Sequence, residues 1–377
     1  MIRRCAIYLS LLCEASGFVG SAYMRIMHVV CGPGAGGAEV FVKDMARSLV
    51  KEGHHVHLVF LQTAIESGRS ESFSRSFLSD LEAYGIFYSF IGIRARRNLL
   101  FGILRLRKII REVSPDIVHA HLYHALFFMH FVPAIPVVFT KHSIKLGAPR
   151  FILRLLLMRA SAFVAICGAC KNKFKNIMHT RLVQIDNGTS FKGRASRNFP
   201  DSPTVKLLYV GRLYSVKNIG MLLTACSKIR DLDFILSIAG EGPELGYLRE
   251  LTESLGIGHK VSFLGNIEDV ATQMSRSDVF LLSSLSEGLP ISLIEASLSG
   301  LPCLVTDVGG CKEVIERCQN GFAVPVDDLH AYSQKLRALI EDVGLRDRLS
   351  LNASKYSGYY SIDRVVKEHQ DLYQAIL

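Results

Sequence analysis

The stretch VVCGPGAGGAEVF, residues 29–41, decides how the first half of the chain folds. A short apolar run ends in a glycine-rich turn, and an amphipathic, helix-like pattern follows it. Gly32, Gly34 and Gly37 have the G-x-G-x-x-G spacing of a turn that brings a phosphate to a helix N-terminus. A nicotinamide site would also need an acidic residue at the end of the second strand, and that strand ends in Phe-Leu-Gln at residues 60–62. The sequence therefore predicts a strand–turn–helix unit that approaches a phosphate, without the acid of a dinucleotide site.

The same alternation of strand-like and helix-like segments runs along the whole chain and restarts after a polar stretch near its middle. In the first half we expect strands at residues 25–31, 55–61, 116–121, 136–140, 162–166 and 182–185. In the second half we expect them at residues 206–210, 234–239, 261–264, 279–283, 303–306 and 321–324. Because strands that alternate with helices form parallel sheets covered on both faces, the sequence predicts an α/β fold. We expect two Rossmann-like, doubly wound domains that face each other across a cleft.

The domain boundaries follow from the point at which this pattern pauses. The linker segment is polar and basic and contains two prolines. In the first 23 residues, two arginines precede an apolar run as in a signal peptide, but Glu14 interrupts that run early. We therefore favour a loose extension or a misassigned start over a signal. The predicted division is an extension over 1–23, an N-terminal domain over 24–190, a linker over 191–205, a C-terminal domain over 206–360 and a last helix over 361–377.

Charge is distributed unevenly between the two predicted domains, although the net charge of the 377 residues is +10. Residues 24–200 carry 25 Lys and Arg against 10 Asp and Glu, whereas residues 201–377 carry 17 against 23. A basic half suits nucleic acid or an anionic membrane surface. The nine cysteines have no framework spacing, which favours reduced thiols and a cytoplasmic location.

Two cations are predicted near the carboxyl end of a strand in the second half. Residues 211–218 read GRLYSVKN, so the preceding strand delivers Arg212 and the following helix begins near Lys217. Two cations and a helix N-terminus that converge in this way suit a diphosphate. The alternative is a solvated basic turn.

A pair of glutamates lies farther along, in residues 286–296, which read SEGLPISLIEA. Glu287 is in the loop after an apolar strand, and Gly288 permits close approach of the backbone. Pro290 suits the first turn of the helix that carries Glu295. Carboxylates accept hydrogen bonds from sugar hydroxyls, so the pair suits a sugar-containing ligand. The alternative is an exposed helix start with two ordinary acids.

These motifs together resemble the family 4 retaining glycosyltransferases of the GT-B fold, the group 1 glycosyltransferases. The resemblance runs from about residue 25 to the C-terminus, and it rests on G-G-A-E at 36–39, G-R-L and K-N within 211–218, G-E-G-P at 240–243 and E-x7-E at 287–295. It implies a nucleotide-sugar donor bound mainly by the second domain and an acceptor bound mainly by the first. It also implies that the last helix crosses back onto the first domain.

The resemblance implies roles for individual residues as well. Arg212 and Lys217 would hold the donor diphosphate, Glu295 would take the ribose hydroxyls, and Glu287 would contact the transferred sugar. The other expected donor-binding residues are Gly36, Gly37, Gly288, Leu289 and Pro290. The expected catalytic residues are His121, Glu287, Arg212 and Lys217, and the expected acceptor-binding residues are His121 and His142.

Histidines gather at strand ends in the first half. His119 and His121 are two positions apart in a strand, so their side chains are expected on one face, and His142 ends the next strand. By the resemblance, His121 faces the reacting centre, where it bonds a sugar hydroxyl or helps the acceptor lose its proton. For His119 we favour a core histidine.

We predict neither a cofactor nor a metal ion. Fixed cations in a dry cleft can stabilise the negative charge that grows on a nucleoside diphosphate as it leaves. Asp231 and Asp233 match D-x-D, but they precede a strand instead of following one. Cys167 and Cys170 match C-x-x-C without a second pair at zinc spacing.

The basic first domain predicts a peripheral contact with an anionic membrane. Residues 150–159 read RFILRLLLMR, and this mixture of large aliphatic side chains and arginines suits a helix at the membrane interface. The alternative is a core helix between solvated basic turns. Nucleic acid is disfavoured because aromatic residues are not interleaved with the basic runs.

The predicted function is a retaining, metal-independent hexosyltransferase in the synthesis of lipopolysaccharide, capsule or exopolysaccharide. It would move a hexosyl or N-acetylhexosaminyl group from a nucleotide sugar, with UDP favoured over GDP as the carrier, to a saccharide or polyprenyl-linked acceptor. We expect it in the cytoplasm, peripheral to the inner face of the membrane. The alternatives are a GT-B nucleotide-sugar epimerase and a non-catalytic sugar-nucleotide-binding subunit. The paired glutamates beside Arg212 and Lys217 argue against both.

Overall fold

The computed structural model describes residues 23–34, 36–63, 65–67, 71–132, 134–177, 181–192, 204–267 and 269–377. The predicted extension up to residue 22 and most of the predicted linker lie outside the described residues. The described part of the chain forms two sheets of parallel strands with helices between them. The predicted α/β class and the two doubly wound domains are thereby confirmed.

The first sheet has seven strands in the order β3-β2-β1-β4-β5-β6-β7. These strands are β1 (Arg25–Val30), β2 (His55–Phe60), β3 (Phe87–Phe90), β4 (Ile117–Ala120), β5 (Val137–Lys141), β6 (Ala162–Ala165) and β7 (Arg181–Gln184). The helices of this half are α1 (Gly37–Lys51), α2 (Glu71–Ala83), α3 (Leu99–Val113), α4 (Tyr123–Met129), α5 (Arg150–Leu157) and α6 (Gly168–Phe174).

The second sheet has six strands in the order β10-β9-β8-β11-β12-β13. They are β8 (Val205–Val210), β9 (Phe234–Ala239), β10 (Val261–Gly265), β11 (Val279–Leu282), β12 (Cys303–Thr306) and β13 (Gly321–Val324). The helices are α7 (Ile219–Ser227), α8 (Leu245–Ser254), α9 (Val270–Ser275), α10 (Ile291–Leu298), α11 (Cys311–Cys318), α12 (Leu329–Glu341), α13 (Val343–Tyr356) and α14 (Ile362–Gln374).

Each strand that the sequence predicted is present, and the structure adds one. The additional strand, β3, lies at the edge of the first sheet, where none of its four residues is fully buried. An edge strand of four residues carries too little hydrophobic alternation to be recognised in the sequence. The side chains of Asn98, Asp269, Asp328 and Asp342 each cap a helix by accepting a main-chain N–H of its first turn.

The last helix, α14, packs against α1 of the first domain. Tyr373 donates or accepts a hydrogen bond at Nδ1 of buried His119, with 2.6 Å between the atoms. The side-chain amide nitrogen of Gln370 hydrogen-bonds the Glu52 carboxylate at 2.7 Å and Nε2 of His54 at 2.8 Å. The C-terminal end of the chain is therefore part of the packing of the first domain. Among the described helices, none is both long enough and apolar enough to cross a bilayer.

Helix α11 of the second domain holds the start of α6 in the first. The Glu313 carboxylate accepts main-chain hydrogen bonds from Gly168 and Ala169, both at 2.8 Å. The first turn of a helix leaves its N–H groups without intrahelical acceptors, so a carboxylate from the other domain satisfies them. Asn187 adds a bond from its side-chain amide to the carbonyl of Leu289 at 3.3 Å. Polar groups with defined geometry thus contribute to the contact between the domains.

We expect Glu313→Ala to loosen this contact. The variant leaves two main-chain N–H groups without their acceptor, which costs about 2 kcal/mol and lowers the Tm by several degrees. Calorimetry measures the Tm, and small-angle scattering measures the separation of the domains. Glu316→Ala is the matched control, because Glu316 lies on the same helix and makes only an exposed pair with Lys312 at 3.8 Å. Equal losses of Tm in the two variants would contradict the interdomain role.

Candidate active site

A partly buried ion pair joins two of the predicted site residues. Lys217 lies in the short helical turn Ser215–Lys217 after β8, and Glu287 lies in the loop between β11 and α10. Their Nζ and Oε1 atoms are 2.5 Å apart, and the side chains are only 16% and 10% exposed. Ser284 donates a second hydrogen bond to the same Oε1 at 2.6 Å. The pair fixes a cation and a carboxylate side by side at the carboxyl ends of two neighbouring strands.

The loop that carries Glu287 is held by the turn after β12. Gly309 has a φ of +55°, and a Cβ atom there would overlap the carbonyl oxygens of Glu287 and Gly288. Gly310 donates its main-chain N–H to the Gly288 carbonyl at 2.7 Å. Glycine at position 309 therefore allows the two loops to pack against each other, and their contact fixes the main chain at Glu287.

The loop Gly288–Leu289–Pro290 lies at the boundary between the domains. A Cβ on Gly288 would stand 2.6 Å from the main-chain oxygen of His142 and 2.9 Å from a methyl group of Ile166, both in the first domain. Leu289 is buried, and Pro290 is the residue before α10. Cys167 adds a contact from its thiol to the Gly288 carbonyl at 3.7 Å. The first domain thus closes directly over this loop.

The glycine-rich turn after β1 reaches the same boundary. A Cβ on Gly37 would meet Ile291, the first residue of α10, at 3.4 Å. On Gly36 it would clash with the Glu39 carboxylate. The structure therefore brings Gly37 next to the segment that begins α10, whereas Gly36 packs against Glu39 of its own helix.

Arg212 stands apart from the Lys217–Glu287 pair. Its side chain is exposed, and its guanidinium lies over the ring of Tyr214 at 5.2 Å from the centroid. No ion pair links it to another described residue. One predicted cation is thus partly enclosed and ion-paired, and the other is exposed.

Glu295 has different surroundings from Glu287. It lies on α10 and faces Asp44 of α1, across the domain boundary. Burial, and then the neighbouring Asp44 carboxylate, raises the pKa of Glu295 to about 8. The side chain therefore carries its proton at neutral pH in the ligand-free protein.

Five histidines, four of them buried and His142 partly buried, form a cluster at the carboxyl ends of β1, β4 and β5. His119 and His121 share one face as predicted, with ring centroids 4.3 Å apart. Both ring nitrogens of His121 are engaged: Nδ1 lies 2.9 Å from Nε2 of His142, and Nε2 lies 3.1 Å from Nδ1 of His28. The fifth member, His369, comes from α14 and donates from Nδ1 to the Val365 carbonyl at 2.8 Å.

Burial keeps these imidazoles neutral. It lowers the pKa of His28 and of His142 to about 3 and that of His369 to about 4. It also holds the pKa of His119 and His121 well below the ordinary value, with further lowering by neighbouring histidines. A general base with so low a pKa would hold an abstracted proton poorly, so the cluster suits hydrogen bonding better than proton removal.

Potential metal ligands also occur in this cluster. In the described part of the chain, His28, His119 and His121 form a group whose ring nitrogens lie within 4.8 Å of one another. Both nitrogens of His119 already meet hydroxyl groups, those of Tyr373 and Thr140. A metal ion would have to displace these bonds, so the residues fit a hydrogen-bonded cluster better. Asp231, of the D-x-D match, makes a two-point ion pair with Arg337 at 2.8 and 2.9 Å.

Comparison with known proteins assigns the chain to a family. A model of the group 1 glycosyl transferases matches residues 158–356, and a model of glycosyltransferase family 4 matches residues 35–191. The chain belongs to the group 1 glycosyltransferases. The resemblance predicted from the four motifs is therefore confirmed at the level of the family.

Relatives of this glycosyltransferase extend over nearly its whole length. The N-acetyl-α-D-glucosaminyl L-malate synthase of Bacillus anthracis is 24% identical over 93% of this chain and 96% of its own. An α-1,4-N-acetyl-D-galactosaminyltransferase of Campylobacter jejuni, whose name includes a saccharide linked to undecaprenol diphosphate, is 26% identical over 92% of this chain and 97% of its own. The crystal structure of the Anabaena protein HepE with UDP-glucose superimposes with a TM-score of 0.77 over 94% of this chain and 100% of that one. Its identity is 19%, so it supports the shared GT-B fold.

Sequence reasoning missed several residues of the glycosyltransferase's site. His28 lies within β1, and its Cα pairs in register with His119 of β4. Once β1 and β4 are recognised as neighbours, that register could have revealed it. No sequence pattern links His369 and Tyr373 to the cluster, because they arrive from α14. Glu313 was missed for the same reason, since it acts on another domain.

Proposed function

We propose that this glycosyltransferase transfers a hexosyl or N-acetylhexosaminyl group from a UDP sugar with retention of configuration and without a divalent metal. The observation that carries the proposal is the partly buried Lys217 ammonium beside Glu287 at the domain boundary. An ammonium held there can neutralise charge that develops on a leaving diphosphate. Arg212 supplies a second cation at the rim, and domain closure over residues 288–290 excludes water.

The state of Glu287 bears on the route by which retention would be achieved, because it disfavours a covalent glycosyl-enzyme. Its Oε1 accepts hydrogen bonds from both Lys217 and Ser284, which makes the carboxylate a poor nucleophile and a good hydrogen-bond acceptor. In our proposal Glu287 bonds a hydroxyl of the transferred sugar, and the acceptor attacks from the face that the diphosphate leaves. The acceptor oxygen loses its proton to the departing phosphate oxygen, so the imidazole cluster need not take up charge.

The acceptor in our proposal is a saccharide or a polyprenyl-linked saccharide of envelope polysaccharide synthesis. The Campylobacter relative carries in its name a substrate linked to undecaprenol diphosphate, which supports this class. The acceptor would lie on the first-domain side of the cleft, near His121 and His142. Of these, His142 borders the loop at Gly288, whereas both nitrogens of His121 are occupied.

UDP binding tests the proposal directly. A thermal-shift screen of UDP, GDP and ADP sugars should select the UDP compounds. Ribose hydroxyls that donate to Glu295 favour its ionised form, so binding should release a proton from a group whose pKa is about 8 in the free protein. UDP affinity should therefore rise with pH between 7 and about 8, by less than tenfold per pH unit. Calorimetry in buffers of different ionisation enthalpy measures the proton release.

Glu295→Gln is the control for this linkage, because the amide cannot ionise. It should weaken UDP binding and abolish the proton release. A wild-type protein that binds UDP without releasing a proton would contradict the ribose role of Glu295. A screen in which UDP sugars give no stabilisation would contradict the proposed donor.

We further propose that the first domain binds the anionic inner surface of a membrane through α3 and α5. The alternative of a fully buried core helix does not describe α5, because Leu153 and Leu157 are buried while its other face is exposed. Phe151, Leu155 and Met158 are 73%, 62% and 70% exposed. Helix α3, which like α5 packs against α4, exposes Leu100 and Leu104 together with Arg107, Lys108 and Arg111. Exposed apolar side chains among basic residues suit a surface of anionic lipids.

Sedimentation with vesicles tests this surface. The protein should bind phosphatidylglycerol vesicles at low salt and bind phosphatidylcholine vesicles much less. Leu155→Ser should weaken the binding by about tenfold, since it removes one inserted aliphatic side chain. Ile235→Ser is the matched control, because Ile235 is an exposed aliphatic residue of the second domain. Binding that is absent at low salt, or equal loss in both variants, would contradict the proposal.

A further inference from the structure

An arginine-rich turn in the first domain, residues 93–97, carries positive charge that no acidic side chain neutralises. It is the short helical turn Ile93–Arg96, between β3 and α3, together with the residue that follows it. Residues 83–111 contain seven Lys and Arg and no Asp or Glu. Arg94, Arg96 and Arg97 are exposed, and no carboxylate of the described residues lies within ion-pair distance of them. The turn therefore offers concentrated positive charge to an anionic ligand.

Arg96 places this charge at the crevice of the first sheet. Strands β2 and β3 lie on one side of β1, and β4 lies on the other, so the strand order reverses between β1 and β4. Ligands of open α/β sheets bind outside the carboxyl ends of the strands at such a reversal. The Arg96 guanidinium donates to Sγ of Cys31, the residue directly after β1, at 3.5 Å. Burial, and then the charge on Arg96, lowers the pKa of His124 in α4, the helix after β4. Arg96 thus stands beside the residues that follow both strands.

The arginine-rich turn also leads directly into an apolar surface. Helix α3 follows it, and Leu100 and Leu104 in the first half of that helix are exposed. The Arg94 guanidinium lies 5.4 Å from the ring centroid of Phe101, in the first turn of α3. Arginines and exposed leucines therefore share the short stretch of residues 94–104. A ligand that fits both parts carries phosphate groups and an apolar chain.

We propose that the arginine-rich turn binds the diphosphate of a lipid-linked acceptor, whose apolar chain lies along the exposed leucines of α3 and whose saccharide extends into the cleft. Arginine suits this ligand because its planar guanidinium can make two parallel hydrogen bonds to phosphate oxygens. A diphosphate concentrates more negative charge than the single phosphate diester of a bulk lipid, so it gains more from arginines without counter-ions. The proposal rests on the proposed function for the class of acceptor. The turn is separate from the donor cations, because Lys217 and Arg212 belong to the second domain.

Binding to vesicles tests this assignment on the full chain. Phosphatidylcholine vesicles that contain undecaprenyl diphosphate are compared with phosphatidylcholine vesicles that contain phosphatidylglycerol at the same surface charge. The protein should bind the diphosphate vesicles at least about tenfold more tightly. Equal binding would overturn the proposal, because the arginines would then contact anionic membranes in general.

Two soluble competitors distinguish the lipid-linked diphosphate from other sources of the same chemistry. Inorganic pyrophosphate at the concentration of the lipid diphosphate should leave the protein on the vesicles, because it lacks the apolar chain. Displacement at that concentration would overturn the proposal in favour of a free phosphate compound. UDP at a concentration that saturates the donor site should also leave the protein bound. Displacement by UDP would overturn the proposal as well, since the turn would then be part of the donor site.

The double variant Arg94→Gln/Arg96→Gln should remove the preference for the diphosphate, so that the two kinds of vesicle bind with about equal affinity. Arg107→Gln/Arg111→Gln is the matched control. These two arginines are also exposed, and Arg111 lies about 18 Å along α3 from its first residue. The control removes the same charge and should weaken binding to both kinds of vesicle alike, which leaves the preference intact. Equal loss of the preference in the two double variants would contradict the assignment to the arginine-rich turn.

Donor binding separates this acceptor site from the proposed function. Both double variants should melt at the wild-type temperature and keep their stabilisation by UDP, since they change exposed side chains outside the donor site. If UDP sugars fail to stabilise the wild type while the preference for the diphosphate persists, the proposed donor is wrong and the acceptor site stands. If UDP binds and the preference is absent, the acceptor site is wrong and the proposed donor stands.

Discussion

Replacing Lys217 by alanine is expected to reduce the rate of glycosyl transfer by at least about a hundredfold, while the chain keeps its fold. The reason is electrostatic. Lys217 is the predicted site cation that the structure encloses, and it stands 2.5 Å from the carboxylate that we assign to the transferred sugar. In a cleft that excludes water, one fixed charge stabilises a leaving diphosphate far more than it could in solvent.

The variant has two effects that measurement can separate. It removes the charge that stabilises the transition state, which lowers kcat, and it leaves Glu287 without its counter-ion, which weakens binding of an anionic donor. We therefore expect kcat to fall and the Kd for UDP to rise. Steady-state kinetics give the first quantity and calorimetry gives the second. A rate near that of the wild type would refute the assignment of Lys217 to the diphosphate.

Lys43→Ala is a close control for this experiment. Lys43 is 15% exposed, against 16% for Lys217, and it pairs with Asp80 at 2.8 Å. It lies on α1, and Asp80 lies on α2, so the pair is inside the first domain. Loss of Lys43 should cost stability without a comparable loss of rate. If both variants lost the same activity, general destabilisation would explain the result for Lys217.

The sequence was sufficient for the architecture because the hydrophobic pattern is strong where strands are buried. The fully buried strand Ile117–Ala120 and the strand Cys303–Thr306 are short apolar runs, and both were predicted within two residues of their ends. The edge strand Phe87–Phe90 was missed because no residue of it is fully buried. Prediction therefore succeeded in proportion to the burial of the backbone.

For the candidate site, what could be predicted depends on whether a contact is local in the sequence. Residues within one motif, such as Gly288 and Pro290, were predicted because local spacing fixes where they lie relative to a strand and a helix. The contact of Gly288 with His142, and that of Glu313 with the start of α6, depend on how two domains meet. Nothing in the local sequence encodes that arrangement. The placement of motif residues in the fold can therefore be predicted from sequence, whereas their partners from the other domain cannot.

The histidine cluster should make the protein acid-labile between pH 6.5 and 4. An imidazole with a lowered pKa in the folded state binds protons less readily than the same group in the unfolded chain, where the pKa is about 6.5. As the pH falls below 6.5, the histidines of the unfolded chain take up protons while those of the folded cluster stay neutral. The free energy of unfolding therefore falls. At pH 5, His28, His142 and His369 each lower the free energy of unfolding by about 2 kcal/mol relative to neutral pH.

Glu295 acts in the opposite direction over part of this range. Its pKa is about 8 in the folded state, so between pH 8 and about 4.5 the folded protein holds a proton that the unfolded chain releases. Acidification from pH 7 to 5 therefore raises the contribution of Glu295 to the free energy of unfolding by about 2–3 kcal/mol. This gain offsets part of the loss from the three histidines. Below pH 4.5 the offset stops growing, while the histidines continue to destabilise until about pH 3. We expect a net loss of a few kcal/mol at pH 5 and a steeper loss below it.

Urea unfolding at pH 7.5, 6, 5 and 4.5 measures the free energy of unfolding and hence the number of protons taken up. Glu295→Gln should make the loss between pH 7.5 and 5 larger, because the offset disappears. His369→Gln should make the loss smaller, and about one proton fewer should be taken up on unfolding, because the variant lacks one imidazole that stays neutral in the folded state. Nearly constant stability from pH 7.5 to 5 in the Glu295→Gln protein would mean that the cluster accommodates charge.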